Sequence, residues 1–265
     1  MFCIAKADLY RLWHEKLVKI ALIVTAIFVL MSPFPADRFF AHFNVEYGEP
    51  AIQATGSTAF QNIGFDGYVN LFIPLIIVAV FSSEFTKHTF LNIAGAKISK
   101  RKIFLGKFLS FSIALVILML YSAILATIEY TALSGWGSSF SLVQIVHILL
   151  IALLVAFAQI AYSWLTILLS AIIHNSATLV VLYFSASLVE SVFSSICINL
   201  SEDNVTILNI PVFDYLAYVF PSTYLYDLTK IQLSGTILTM ILVPLACYIL
   251  ITVVVGQFLY SKIEL

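Results

Sequence analysis

Apolar residues run along this chain in long unbroken stretches, and the polar residues are gathered into the gaps between them. Six stretches, at about 17–33, 68–83, 103–128, 142–169, 173–199 and 234–260, are each long enough to cross a hydrocarbon core of about 30 Å as a helix. They are continuous and rich in Leu, Ile and Ala, without the ten-residue alternation of outer-membrane strands, so the pattern predicts an all-α integral membrane protein. Stretches three to five exceed the required length, which leaves room for tilt. Pro74 and Pro244 fall inside the second and sixth and predict kinks there.

The gaps carry their own patterns. Region 1–16, which contains FCIAKADLYRLWHEK, reads as an interfacial amphipathic helix, with Phe2, Leu9, Leu12 and Trp13 on one side and Asp8, Arg11 and Glu15 on the other. A signal peptide fits poorly, because this region carries two acids and SPFPADR after the apolar run has no small-x-small cleavage site. Between spans five and six, region 200–233 alternates Phe213, Tyr215, Tyr218, Phe220, Tyr224 and Tyr226 with Pro211, Pro221, Asp214 and Asp227. Rings with one wet end suit the headgroup level, so this outer hairpin is expected to form re-entrant or interfacial helices.

Composition agrees with the pattern. The 265 residues are 62% apolar and 10% charged with a mean hydropathy of +1.04, against roughly 45–50% and 25% in soluble domains. The net charge of −1 says little, but the placement of the cations says more. With the N-terminus in the cytoplasm, Lys6, Arg11, Lys16, Lys19, Lys87, Lys97, Lys100, Arg101, Lys102, Lys107 and Lys262 lie inside, and only Arg38 and Lys230 lie outside. A multi-pass protein of the plasma membrane with both termini cytoplasmic is expected, organised as a single transmembrane domain over 1–265.

Catalytic and cofactor motifs are missing from the sequence. It has no GxxxxGK[ST] phosphate loop, no HExxH, no GxSxG and no Cys or His cluster with metal spacing. The chain is therefore expected to be no enzyme, to bind no cofactor or metal of its own, and to have no nucleic-acid partner. The spans carry Glu129 and Glu190 in their outer halves, together with Gln159 and Gln257. A carboxylate in lipid is expensive, which makes Glu129 and Glu190 candidates for a transport path; a place at the interface is the plainer reading of Glu190.

The polar passage SSEFTKHTFLNIAGAKISKRKIFLGK, from Ser82 to Lys107, joins spans two and three and holds six cations. Helical spacing puts Glu84, His88 and Asn92 in one row and Phe90, Ile93 and Ala94 on another side, with Glu84 at the helix start, Gly95 at its end and Ser99 capping the next helix. Topology and attraction to anionic lipid, at about 1 kcal/mol per cation, explain part of the charge. They do not explain a capped amphipathic helix where a short turn would suffice.

This passage resembles the cytoplasmic signature of type-2 ABC-transporter permeases: Glu84-Phe85, Thr89-Phe90, Gly95-Ala96-Lys97-Ile98-Ser99-Lys100-Arg101 and Gly106-Lys107 stand in the family's order. His88 stands where the family has Gly before Thr, and Lys100 separates Ser99 from Arg101. The resemblance implies an N-terminal interfacial helix, six spans and a cytoplasmic coupling helix within 84–102. It also implies a bacterial exporter subunit without its own ATPase, which pairs with a second permease chain, as homodimer or heterodimer, and with two ABC ATPase subunits that bind ATP and Mg. Glu84, Phe85, Thr89, Phe90, Lys97 and Arg101 would contact the ATPase, although Phe85 and Phe90 would serve equally as membrane anchors. Similar permeases export lantibiotics, other bacteriocins and amphipathic peptide toxins, or confer self-immunity and antibiotic resistance against them, and others export drugs, ions and polysaccharides. A cationic amphipathic peptide would suit Glu129, Glu190, Asp214 and Tyr218 along its path, while an ordinary aromatic belt explains the rings as well. An ATP-independent carrier or channel and a membrane scaffold or sensor subunit are the alternatives.

Overall fold

The computed structural model describes residues 2–31, 55–58, 69–82, 99–137, 140–173, 175–202, 216–221, 223 and 235–262. All regular structure among them is helical: α1 (Phe2–His14), α2 (Lys16–Met31), α3 (Val69–Ile77) passing into a π-turn at Val78–Ser82, α4 (Lys100–Ser134), α5 (Leu142–Tyr162), α6 (Trp164–Leu169), α7 (Ser176–Glu202) and α8 (Gly235–Lys262). Among the described residues α4, α5, α7 and α8 are long and apolar enough to cross a membrane. The first two predicted stretches appear as shorter apolar helices, Val18–Ile27 and Phe72–Ser82.

At 35 residues, α4 is about 50 Å long and outreaches a hydrocarbon core of about 30 Å. It is the mast of the fold, packed against α1, α2, α3, α5 and α8. Its hydroxyls turn back onto its own ladder: Ser110, Ser112, Ser122, Thr127 and Thr131 each donate to the carbonyl one turn earlier, at 2.6–2.9 Å. In a medium without water that arrangement satisfies each hydroxyl without a partner helix. The α4–α5 seam is built from small buried residues, Ala123, Ala152 and Ala156 among them, which let two backbones approach closely.

Local sequence accounts for the helix ends. Ser141 Oγ accepts from the Val143 amide at 3.2 Å to start α5, and Asn175 Oδ1 accepts from the amides of Ala177 (2.9 Å) and Thr178 (3.4 Å) to start α7. Ser99 stands at the N-cap of α4 as expected, but it serves through its backbone carbonyl, which accepts from Lys102 and Ile103, and its side chain makes no capping bond. The fourth apolar stretch is interrupted where one helix was expected. Ser163 bonds back to the Gln159 carbonyl through both its amide and its hydroxyl, and the chain breaks there into α5 and α6.

One sequence expectation is corrected in α1. Asp8 does not stand on the polar side; it turns inward with Ala5 and Leu12, while Phe2 and Trp13 are exposed. Arg11 is the cause: it reaches into the bundle to a carbonyl of the π-turn and holds Asp8 beside it at 3.3 Å.

Candidate functional site

Pro74 lies inside α3 and removes one rung of its hydrogen-bond ladder, and from Val78 to Ser82 the chain winds as a π-turn. Such a turn carries one residue more than the α ladder and leaves carbonyls to be met from elsewhere. Two cations meet them. Arg11 Nη2 of α1 donates to the Ala79 carbonyl at 2.9 Å, and Lys107 Nζ of α4 donates to the Val80 carbonyl at 2.7 Å. Lys107 has no exposed surface and Asp8 only 4%, so each charge is held by neighbours rather than by solvent.

The remaining contacts join two further elements, α7 and α8, to this junction and add to those of α1 and α4. Ser82 Oγ and Ser176 Oγ lie 3.1 Å apart, which ties the end of the π-turn to the start of α7. The Phe81 ring sits between Phe104 and Phe111 of α4, with centroids at 6.1 and 6.2 Å. Phe104 packs in turn on Tyr260 of α8 at 5.0 Å and presses so closely on Gly256 that a Cβ there would collide with the ring. Ser110 Oγ lies 3.4 Å from the Ala5 carbonyl of α1. The junction thus gathers α1, α4, α7 and α8 around five residues, and immediately after them the chain enters the polar segment that returns at Ser99.

Arg101, on the first turn of α4, is exposed near this junction. Glu84, Phe85, Thr89, Phe90 and Lys97 lie outside the described residues, as does Asp214. Lys100, Arg101, Lys102 and Lys262 belong to the same end of the bundle as Arg11 and Lys107, which makes that end cationic.

At the opposite end the polar groups are arranged differently. The turn 55–58 docks by its backbone, with Gly56 N donating to Gly135 O at 3.0 Å and Ser57 N to Trp136 O at 3.3 Å. Gly135 and Gly137 have φ values of 77° and 90°, a region that favours glycine. Residues 216–221 and 223 dock on α7 through Ser194 Oγ and Thr223 Oγ1, 2.7 Å apart, and through Phe193 stacked on Phe220. Tyr218 is partly buried against the main core.

Glu129 and Glu190 stand on different helices, α4 and α7; α7 packs mainly on α3, the π-turn and α6, and meets α5 through Tyr162. Glu129 Oε2 is buried and has no hydrogen-bond partner among the described residues. Glu190 lies within electrostatic reach of the Tyr183 and Tyr248 phenols; Tyr162 packs edge-on to Tyr183, and Trp164 packs on Tyr248. Gln159 is fully buried, and neither amide atom has a hydrogen-bond partner among the described residues. No group of three or more His, Cys, Asp or Glu that could hold a metal occurs among the described residues.

Sequence reading missed the Arg11–Asp8 pair, the π-turn and the inward role of Lys107. The available signal was Lys107 itself, a cation four residues into an apolar run, where lipid would penalise it. No protein-family model matches the chain, and no curated protein matches its sequence.

Proposed function

We propose that this chain is the membrane-spanning permease subunit of an ATP-driven exporter, energised by two separate ABC ATPase subunits and paired with a second permease chain. The observation that carries the reading is the junction: the residues that lead into the polar segment are tied by Arg11, Lys107, Ser176 and the Phe81–Phe104–Tyr260 stack to four helices. A force applied to 84–102 from the cytoplasm would reach most of the bundle through five residues. π-turns suit such a role because their winding differs from the α ladder by one residue, so a register change is local. The cationic end faces the cytoplasm in this reading, the bundle crosses the bacterial cell membrane six times, and both termini are cytoplasmic. Cargo would be an amphipathic or antimicrobial peptide, exported or expelled for self-immunity, with Glu129, Glu190, Asp214 and Tyr218 along its path.

The test is purification of the tagged chain from its native host in nanodiscs, with mass spectrometry of co-purifying proteins, for the wild type and for a variant with Phe85, Thr89 and Arg101 all changed to Ala. A Walker-motif ATPase captured by the wild type and lost from the variant is expected. Capture of no ATPase under any mild condition would remove the reading's main consequence.

A second reading, an ion-coupled carrier, is favoured by Glu129 and Gln159, whose buried polar atoms could serve a coupling ion. Uptake into proteoliposomes without nucleotide, abolished by Glu129→Gln, would replace the first reading with this one.

A further inference from the structure

Beside the junction a cavity of about 180 Å³ opens between α1, α2, α3 and α4. Leu12 and Trp13 wall it from α1, Val18 and Ala21 from α2, Ile76 from α3 and Ala114 from α4. Every lining side chain is hydrocarbon apart from the Trp13 indole. An enclosed apolar space of about 150 Å³ stays dry and takes up benzene, so this one is matched to hydrocarbon and hostile to water or a polar cargo. Its position narrows the occupant further. α1 exposes Phe2 and Trp13 as a helix lying in a membrane interface does, which puts the cavity under that helix, where acyl chains begin. Trp13 and Val18, on either side of the α1–α2 elbow, bring that elbow next to the cavity. Lys16 and Lys19 are exposed there, within one turn of Val18, and neither forms an ion pair among the described residues.

From this combination of an apolar slot and two cations at the elbow beside it, we propose that the cavity holds one acyl chain of an anionic phospholipid, with the phosphate at Lys16 and Lys19. The lipid fills the space between α1 and the spans, against the Ala79 backbone that Arg11 reaches.

The full chain, with Trp136→Phe and Trp164→Phe so that Trp13 is the sole tryptophan, is placed in nanodiscs of phosphatidylcholine. Either phosphatidylglycerol or phosphatidylcholine brominated on its acyl chains is added at a low fraction, and Trp13 fluorescence is read. Brominated phosphatidylglycerol is expected to quench at about one-thirtieth the concentration of its choline counterpart, in keeping with two surface cations at about 1 kcal/mol each. Lys16→Gln with Lys19→Gln should bring the two lipids level, and Ala114→Phe should abolish the excess by filling the slot. Equal quenching by both lipids in the parent chain overturns the proposal. An excess that survives Ala114→Phe with an unchanged circular dichroism spectrum overturns the cavity as its source. Should Ala114→Phe fail to fold, the lysine pair decides alone: both side chains are on the surface, and a preference that survives their loss overturns the assignment.

Discussion

The two ends of the bundle handle polar groups in opposite ways. At the cationic end Arg11, Asp8, Lys107, Ser82 and Ser176 are drawn inward and bonded between elements. At the far end short segments dock by backbone amides and single hydroxyl pairs, and the Glu129 Oε2 has no partner among the described residues. The helices also differ among themselves in burial. Of the most apolar windows, 39% of α4 and 44% of α5 are buried in the bundle, against 17% of α7 and 22% of α8. One end is cross-bonded between several elements, and at the other short segments dock through a few backbone and hydroxyl contacts.

The largest expected effect comes from Lys107→Ala. It removes a buried ammonium and leaves the Val80 carbonyl without that donor, a loss of about 2–3 kcal/mol for a bond to a charged group. Denaturant unfolding in micelles should show it, and Lys107→Arg should recover part. A change below about 0.5 kcal/mol would mean that the junction is not held by its cations. Arg11→Ala comes next, at about 2 kcal/mol, because it breaks the bond to Ala79 and takes Arg11 away from the buried Asp8. The pair is coupled, so adding Asp8→Ala should cost less than the sum of the single changes; strict additivity would separate the two residues.

Gly256→Ala tests packing at the same end. A methyl group there meets the Phe104 ring, and overpacking costs about 1–3 kcal/mol. Phe104→Leu should relieve it, so that the double variant melts above Gly256→Ala alone. At the far end, Thr223→Val removes the hydroxyl shared with Ser194 and should cost only about 1 kcal/mol. A loss as large as that of Lys107→Ala would erase the contrast between the ends.

The ends also differ in how far the sequence reveals them. The helices α4, α5, α7 and α8 coincide with apolar runs because lipid-grade composition over more than twenty residues leaves few alternatives. The π-turn has no periodicity of its own, and Pro74 announces only that the ladder is broken. Asp8 misleads a helical wheel because its place is set by where Arg11 finds a carbonyl 68 residues away. Lys107 reads as one more topological charge until the fold shows what it binds. The break at Ser163 has no signal in the sequence, because its hydroxyl bonds back one turn just as that of Ser110 does within the unbroken α4. Of the candidate coupling residues, Arg101 alone falls within the described residues, so that part of the site rests on sequence.

The smallest effect is expected of Glu129→Gln, and it discriminates most. The substitution keeps the shape and removes the charge from a group whose Oε2 is buried. A structural ion pair would be lost with the charge, and stability would fall by about a kilocalorie per mole or more. A carboxylate kept for transport should instead leave stability within about 0.5 kcal/mol of the parent or raise it slightly, because a buried charge is no longer desolvated. Resistance of cells to a cationic amphipathic peptide should then fall while assembly and ATPase capture stay unchanged. If stability falls and resistance does not, Glu129 belongs to the frame, and the cargo path runs elsewhere, with Glu190 and its tyrosines next to be changed.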